Sequence, residues 1–573
     1  MAESILERRV EPRWVLAQRP TPDALEQTRA QLNIPPVIAQ ILIQRGMQKI
    51  EVARHFLYPS LEQLVDPFVM ADMDCAVDRV WAAIDAGEKI LIHGDYDVDG
   101  VTGTSVLVRA LSALGADVGF YIPHRIEDGY GISKQGIDEG VARGVQLLIS
   151  VDCGITAVSE TDYARTLGMD VVITDHHQPV DLPAAVAVIN PKRSDCPYPF
   201  KELSGVALAY KLAEAVYRRR GLDLNPVNNL LDLVALGCAA DIVPLVWENR
   251  VLVTQGLTLM QRTKNLGLKA LFKSANVDRR SLNTGQLVFV VAPRINALGR
   301  MGSAMDAVTL LTTDDAEEAH RIAQILEAQN LKRRELDTGM QKEALAQVEV
   351  QINPHCDRAV VLASESWHPG VIGIVATRIA EKVHLPTVLI SVDGESSKGS
   401  ARSIPGFDLY AALSKCREHL VAFGGHKYAA GLTINAKKIN AFREQFLSVV
   451  DDMIDVEDLV PRIYIESEMK LDQIDTHLIN ALKRFAPFGA QNRQPIMASR
   501  NVEVVGAPTQ VGRNHLRFKA RQNGRVFDCI GFNLGDLSYR LSPGEANLDM
   551  AYMIEENEWR GRKQIQLRII DLR

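Results

Sequence analysis

VQLLISVDCGITAVSETDYARTLGMDVVITDHH, residues 145–177, decides the fold. Two apolar runs in it, VQLLISV and MDVVIT, have strand length and are rich in β-branched side chains. Each run ends on polar chemistry: Asp152 after the first, and Asp175, His176 and His177 after the second. The same unit recurs on both sides. KILIHGDYDVDG (89–100), ADVGFYIPH (116–124) and AAVAVINP (184–191) are further strand-like runs that turn polar, and helical patterns such as VTGTSVLVRALSALG (101–115) fill the gaps. Strand alternating with helix predicts an α/β fold with a parallel sheet covered on both faces. In such sheets ligands bind beyond the carboxyl ends of the strands. The clusters at 93–99, 152 and 175–177 therefore fall on one edge of one sheet.

The rest of the chain is too long for this domain alone: 573 residues suggest three or four domains. A hydrophobic fraction of 47% and a charged fraction of 24% are those of an ordinary globular protein. The start, MAESILERRVEPRW, lacks the apolar run of a signal peptide, and no segment approaches the roughly 20 apolar residues that cross a bilayer. A cytoplasmic protein without membrane contact is expected. Seven scattered cysteines without Cys-x-x-Cys spacing fit reduced thiols rather than a zinc ribbon.

Residues 1–70 read as an N-terminal lead-in packing on the core, and 71–313 as the catalytic α/β domain. Residues 314–350 read as one long polar helix of the kind that bridges domains, and 351–455 as a smaller α/β domain. Residues 456–573 turn mainly β: ASRNVEVVGAP, HLRFKARQ, RVFDCIGFN, LDMAYMIEEN and IQLRIIDL suit a five-stranded barrel of OB type.

The polar clusters suggest metal chemistry. In His93-Gly-Asp-Tyr-Asp97-Val-Asp99-Gly, carboxylates at alternate positions after a strand can aim at one point, and oxygen with imidazole ligands suits Mn²⁺ or Mg²⁺. Alone, an Asp-x-Asp is more often a solvated turn, and Asp152 alone more often a helix cap. Asp175-His176-His177 is stronger, because one imidazole can hold a metal while the other acts on substrate. Asp241, ending the apolar helix LLDLVALGCAAD, is weak by itself. Two divalent ions ~3.5–4 Å apart need a bridging carboxylate and several terminal ligands, and the joint set supplies them.

HGDYDVDG, SVDCG, TDHH and CAADIVP, in that order, resemble the four motifs of the DHH phosphoesterase superfamily. APRINALGRMGSA (292–304), ARSIPGFDL (401–409) and FGGHKYAAGL (423–432) extend the resemblance to its branch of bacterial single-strand-specific 5′→3′ DNA exonucleases. The resemblance implies a DHH domain, a bridging helix, a DHHA1-like domain and an OB-like barrel. It implies that His93, Asp97 and Asp152 hold one ion, and that Asp99, Asp152, His176 and Asp241 hold the second, with Asp152 bridging. His177 faces the scissile phosphate and Asp175 orients a histidine. The same resemblance implies roles in recombinational and mismatch repair, a monomer, and contacts with single-strand-binding protein and a RecQ-type helicase.

On the nucleic-acid side, a net charge of −7 says little, since an acidic metal site and a basic groove share the chain. Gly424 and Gly425 beside His426 and Lys427 let a backbone approach phosphate closely, although a tight turn explains them as well. Arg125, Arg294, Asn296, Arg300 and Arg402 are candidates for the DNA backbone, arginine matching phosphate geometry. Arg517, Lys519 and Arg521 share one face of a strand, Phe518 points to the core, and Trp559 is a stacking candidate. If the two α/β domains meet across the long helix, a narrow cleft between them would select single strands. Other DHH enzymes act on pyrophosphate, cyclic dinucleotides or short oligonucleotides, but such substrates need no OB-like platform. Metal-free scaffold relatives are disfavoured by the complete set of acids and histidines.

Overall fold

The computed structural model describes residues 10–125, 128–353, 356–559 and 562–573, and for Glu558, Trp559 and Arg562 the backbone alone. The chain divides into two compact units, residues 16–326 with 464–573, and residues 327–463 with the N-terminal segment up to Val15. Among the described residues no helix is long and apolar enough to cross a membrane. All seven cysteines are unpaired.

The larger unit contains the expected parallel sheet. Its strands are β1 (Lys89–Gly94), β2 (Asp117–Tyr121), β3 (Val145–Val151), β4 (Asp170–Thr174) and β5 (Ala187–Ile189), ordered β2-β1-β3-β4-β5. The middle strands are buried on both faces, which is why they read as continuous apolar runs. Register sets the functional edge. Gly94 pairs with Val151, and Val151 with Thr174. Asp95, Asp152 and Asp175 are therefore each the first residue beyond the ladder on three adjacent strands.

The turn after β1 leads directly into a helix (Val98–Ser112), capped by the Asp97 carboxylate, which accepts the N–H groups of Asp99 and Gly100. Gly100 is required here. A Cβ on it would lie 2.5–2.7 Å from backbone atoms of Asp95. Two further helices, Gly205–Arg219 and the wholly buried Leu231–Cys238 stretch of Leu231–Ala240, cover the sheet and end the core near Asp241.

The barrel belongs to the same unit. Its five strands are the five read from sequence: Met497–Val511, His515–Gln522, Arg525–Gly531, Ala546–Trp559 and Arg562–Leu572. The first pairs with the second and with the fourth, closing the sheet on itself and removing its edges. The N-terminal helices depart from expectation. Ile38, Ile41, Leu42 and Phe56 bury with Leu471, Leu478 and Phe485 in the barrel's core cluster, while the segment around Leu61–Phe68 packs on the catalytic core. Helical periodicity identifies an apolar face but not its partner.

Arg250 ties these parts together. It is 1% exposed and donates to the carbonyl oxygens of Phe56, Arg484, Phe485, Ala486 and Pro487, with its guanidinium 4.0 Å from the Phe56 ring centroid. Burial pulls its pKa down to about 9, with Arg45 adding to the shift.

The smaller unit holds a five-stranded sheet made of Val360–Ser364, Thr387–Ser391, Ser397–Arg402, Leu420–His426 and Ala429–Ile434. The first two pair in parallel and the rest antiparallel. The glycine-rich stretch is the edge hairpin of this sheet, with Lys427 and Tyr428 at its tip. The expected long helix is continuous over Ala316–Gln351, 36 residues.

Arg250→Leu keeps the side-chain bulk and strands five carbonyl groups. It is expected to cost about 3 kcal/mol. At roughly 2–4 °C per kcal/mol, the first thermal transition by circular dichroism falls by about 6–12 °C. An unchanged transition would refute the role given to Arg250.

Candidate metal centre

Three polar atoms face one another at the sheet edge. His176 Nε2 lies 3.1 Å from Asp152 Oδ1 and 3.6 Å from Asp241 Oδ2. All three are buried and none has a hydrogen-bond partner. Buried polar atoms are nearly always paired, so a cluster of unpaired acceptors and an imidazole nitrogen fits a cation. Carboxylate oxygen with imidazole nitrogen is the donor chemistry of Mn²⁺ and Mg²⁺ sites. The other His176 nitrogen faces the Leu203 backbone, leaving Nε2 as the lone-pair end. Burial, then the neighbouring His177, pushes the pKa of His176 down to about 3, so the ring is neutral and fit to ligate.

The donors fall into three groups, each within 4.8 Å: Asp152 with His176 and His177; Asp99 with His176 and Asp241; and Asp95 with Asp97 and Asp152. Asp152 and His176 are each shared between two groups. Of the ligands expected from sequence, the structure brings together Asp97, Asp99, Asp152, His176 and Asp241. It does not bring His93 to them. His93 lies inside β1, paired with Ser150 one residue before the ladder ends at Gly94. Its ring is fully buried beside Tyr121, with Nε2 accepting the Ser133 N–H at 3.4 Å and Nδ1 unpartnered. Burial holds its pKa down at about 4. His93 is still held within the ladder, whereas Asp95, in the same HGDYDVDG motif, is the first residue beyond it and joins Asp97 and Asp152.

Two acids are set by main-chain groups. Asp99 accepts the Gly205 N–H at 2.6 Å and the Val206 N–H at 2.9 Å, at the start of Gly205–Arg219. Gly205 also permits the approach of Asp152, since a Cβ there would sit 2.5 Å from the Asp152 Cβ. Burial, then the charge of Asp97, raises the Asp99 pKa to about 7. Burial, followed by the charges of Asp99 and Asp97, pushes Asp152 and Asp241 well upward, and burial followed by Asp97 does the same to Asp95.

Asp175 behaves in the opposite way. Burial, the largest single influence, opposes its charge, but the hydrogen bonds and charge of His177 and the Ile155 N–H together outweigh it and lower its pKa. Its Oδ1 lies 2.8 Å from His177 Nδ1 and accepts the His177 N–H, while Oδ2 accepts the Ile155 N–H. The histidine that Asp175 orients is thus His177. Burial, the largest single influence, lowers the His177 pKa, but the Asp175 hydrogen bond with the charges of Asp175, Asp97 and Asp99 together leave it raised. Tyr130 completes the contact, its hydroxyl 3.0 Å from His177 Nδ1 and 3.2 Å from the Asp152 carbonyl oxygen. No sequence pattern singled out Tyr130.

A cavity of about 370 Å³ opens over this cluster, lined by Asp95, Asp97, Asp152, Asp241, His177 and Tyr130 on one side. Arg125, Asn296 and Arg300 line it too. Asn296 Oδ1 accepts the Val98 N–H, which leaves its amide nitrogen as the donor end. Arg125 sits 5.1 Å from the Tyr96 ring centroid. Arg294 does not line the cavity. It is buried and donates to the Val290 carbonyl, so the expectation of a DNA contact there is corrected.

Residues 89–238 match the family model described as DHH family, N-terminal domain; 357–452 match the DHHA1 domain, and 465–571 the RecJ OB domain. The single-stranded-DNA-specific exonuclease RecJ of Bacillus subtilis is 40% identical over 98% of this chain and 70% of its own length. The chain belongs to the RecJ family. Crystal structures of Thermus thermophilus RecJ in complex with Mn²⁺ and with Mg²⁺ superpose with TM-scores of 0.85 and 0.78. Both are 30% identical; they cover 99% and 98% of this chain, and 80% and 78% of theirs. RecJ neighbours thus hold the two ions that the donor set here fits.

The remaining candidates lie elsewhere. Arg402 is braced by Thr377 Oγ1, Ser400 Oγ and the Ala401 carbonyl. Gly424, Gly425, His426 and Lys427 are exposed on the edge hairpin of the smaller unit. Arg517, Lys519 and Arg521 do share the outer face of their strand, and Phe518 is core. Lys519 pairs with Asp528 and Arg521 with Glu503, so the stripe is less basic than its sequence. The Trp559 side chain lies outside the described residues.

The raised Asp99 carboxyl binds its proton more tightly folded than unfolded. That stability is complete below the unfolded value near 3.8 and is lost as pH rises through about 7. The melting temperature in EDTA should therefore fall between pH 5 and 8, and saturating Mn²⁺ should abolish the fall. A flat EDTA profile would contradict this. Gly205→Ala, which crowds Asp152, is expected to weaken Mn²⁺ binding about 10–100-fold by titration calorimetry.

Proposed function

We propose that this chain degrades single-stranded DNA from the 5′ end to mononucleotides by two-metal phosphodiester hydrolysis. As a RecJ-family member it is a nuclease that hydrolyses phosphodiester bonds. The observation that carries the finer reading is one cavity lined by both the acid cluster and Arg125, Asn296 and Arg300. Acids suit cations, and a fork of arginines suits the phosphate those cations activate.

In this reading Asp95, Asp97 and Asp152 would hold one divalent ion, and Asp99, Asp152, His176 and Asp241 would hold the second. When bound, such ions supply Lewis acidity, activating water and offsetting charge on the phosphoryl oxygens. The chain's own groups do the rest. Arg125 and Arg300 fix the phosphate, and the Asn296 amide donates beside them. Asp175 keeps a proton on His177 Nδ1 and holds the ring against the cavity, so that His177 stabilises charge or passes a proton at the scissile phosphate. The barrel's outward Arg517 and the exposed His426 and Lys427 of the edge hairpin each offer contacts for the DNA backbone.

Family membership supports roles in recombinational and mismatch repair, contacts with single-strand-binding protein and a RecQ-type helicase, and a cytoplasmic monomer. It also supports assigning 71–313, 314–350, 351–455 and 456–573 to the DHH, connecting, DHHA1-like and OB-like parts. These belong to the same proposal.

Digestion of single strands labelled at the 5′ or the 3′ end, in Mn²⁺, Mg²⁺ or EDTA, tests polarity and metal need together. Labelled mononucleotide should appear at once from the 5′-labelled strand and be abolished by EDTA. Early release from the 3′ label, or equal rates on blunt duplex, overturns the reading. Asp97→Ala should lower turnover at least ~10²-fold, about 2.7 kcal/mol of activation barrier, while strand affinity is retained.

A further inference from the structure

Tyr130 has no role in the two-metal scheme, yet its hydroxyl makes two contacts inside the site. It lies 3.0 Å from His177 Nδ1 and 3.2 Å from the backbone carbonyl oxygen of Asp152. Its ring meets the His177 imidazole edge-on, with centroids 5.7 Å apart. The side chain is half exposed and lines both the metal-centre cavity and a neighbouring cavity of about 420 Å³.

The proton count around Nδ1 has one consistent solution. Asp175 Oδ1, 2.8 Å away, is a carboxylate and can only accept, so Nδ1 carries the hydrogen. The Asp152 carbonyl can also only accept, so the Tyr130 hydroxyl donates its proton there. The hydroxyl oxygen is then left to accept a second branch of the Nδ1–H bond. Every proton in the cluster has one assignment, and His177 is held in one tautomer from two directions. Asp175 is anchored at its far side by the Ile155 N–H. Tyr130 is anchored to the main chain of Asp152, the acid shared between donor groups. The orientation of His177 is thereby referenced to the metal centre itself.

We infer that Tyr130 is a positioning residue for His177, tying the imidazole to the Asp152 loop through its hydroxyl. It acts through His177 and need not touch substrate. The inference rests on the exonuclease reading, in which His177 faces the scissile phosphate.

The test is a double-mutant cycle on 5′-labelled single strands. Tyr130→Phe should lower kcat about tenfold, with KM and Mn²⁺ affinity unchanged. In a His177→Gln background the same change should have no further effect, because the group it positions is gone. An equal fall in both backgrounds, or no fall in either, overturns the inference. A second readout needs no turnover. In the metal-free protein the downfield Nδ1–H proton of His177, assigned by its loss in His177→Gln, should broaden or shift in Tyr130→Phe, and an unmoved resonance overturns the inference. Tyr130→Leu serves the same two measurements if the Phe variant does not fold. If the wild-type chain releases no mononucleotide, the exonuclease reading has failed, and the proton resonance still judges the tether.

Discussion

Burial, and after it the charges of Asp99 and Asp97, raises the proton affinity of Asp152 and Asp241 in one small space. Two like charges 4 Å apart repel by about 4 kcal/mol at an effective dielectric near 20, so this cluster opposes its own formation. Local structure offsets part of that. The Asp97 carboxylate caps one helix, and Asp99 is held by the first N–H groups of another. Both helix ends carry partial positive charge. The remaining negative charge is what makes the site select divalent cations, and Gly100 and Gly205 exist at their positions because the acids must come this close to main chain and to each other.

The strand ends, the sheet and all five barrel strands were legible in the sequence, because period and polarity report directly on burial. Four of the five expected ligands that meet do so for the same reason, since register aligns the three strand ends they follow, while Asp241 comes from the end of the helix Leu231–Ala240. His93 and Asp95 show where legibility stops. Both stand in one short motif, and which of them reaches the acids depends on where β1 leaves the ladder, two residues beyond the apolar run KILI. Tyr130 was invisible because its function lies in two contacts made across the fold, to residues 152 and 177.

Arginines were the least legible group. Arg125 and Arg300 reach the cavity, whereas Arg294, six residues before Arg300 on the same helix, is turned inward onto Val290. The helix places these side chains on different faces, so a count of basic residues in the segment overstates the phosphate surface. The barrel shows a different effect. Alternation correctly put Arg517, Lys519 and Arg521 outward, but the flanking strands supply Asp528 and Glu503, which neutralise two of the three. Lone charge patterns predict exposure better than they predict potential.

Arg250 has a consequence for dissecting the molecule. Four of its five acceptors come from residues 484–487, far along the chain from the helix that carries it. A fragment ending before that segment would leave the guanidinium with one of its five carbonyl acceptors, however complete its metal centre. Expression of the catalytic part alone should therefore begin by replacing Arg250, because the boundary suggested by the sheet and the boundary respected by the polar interior are not the same line.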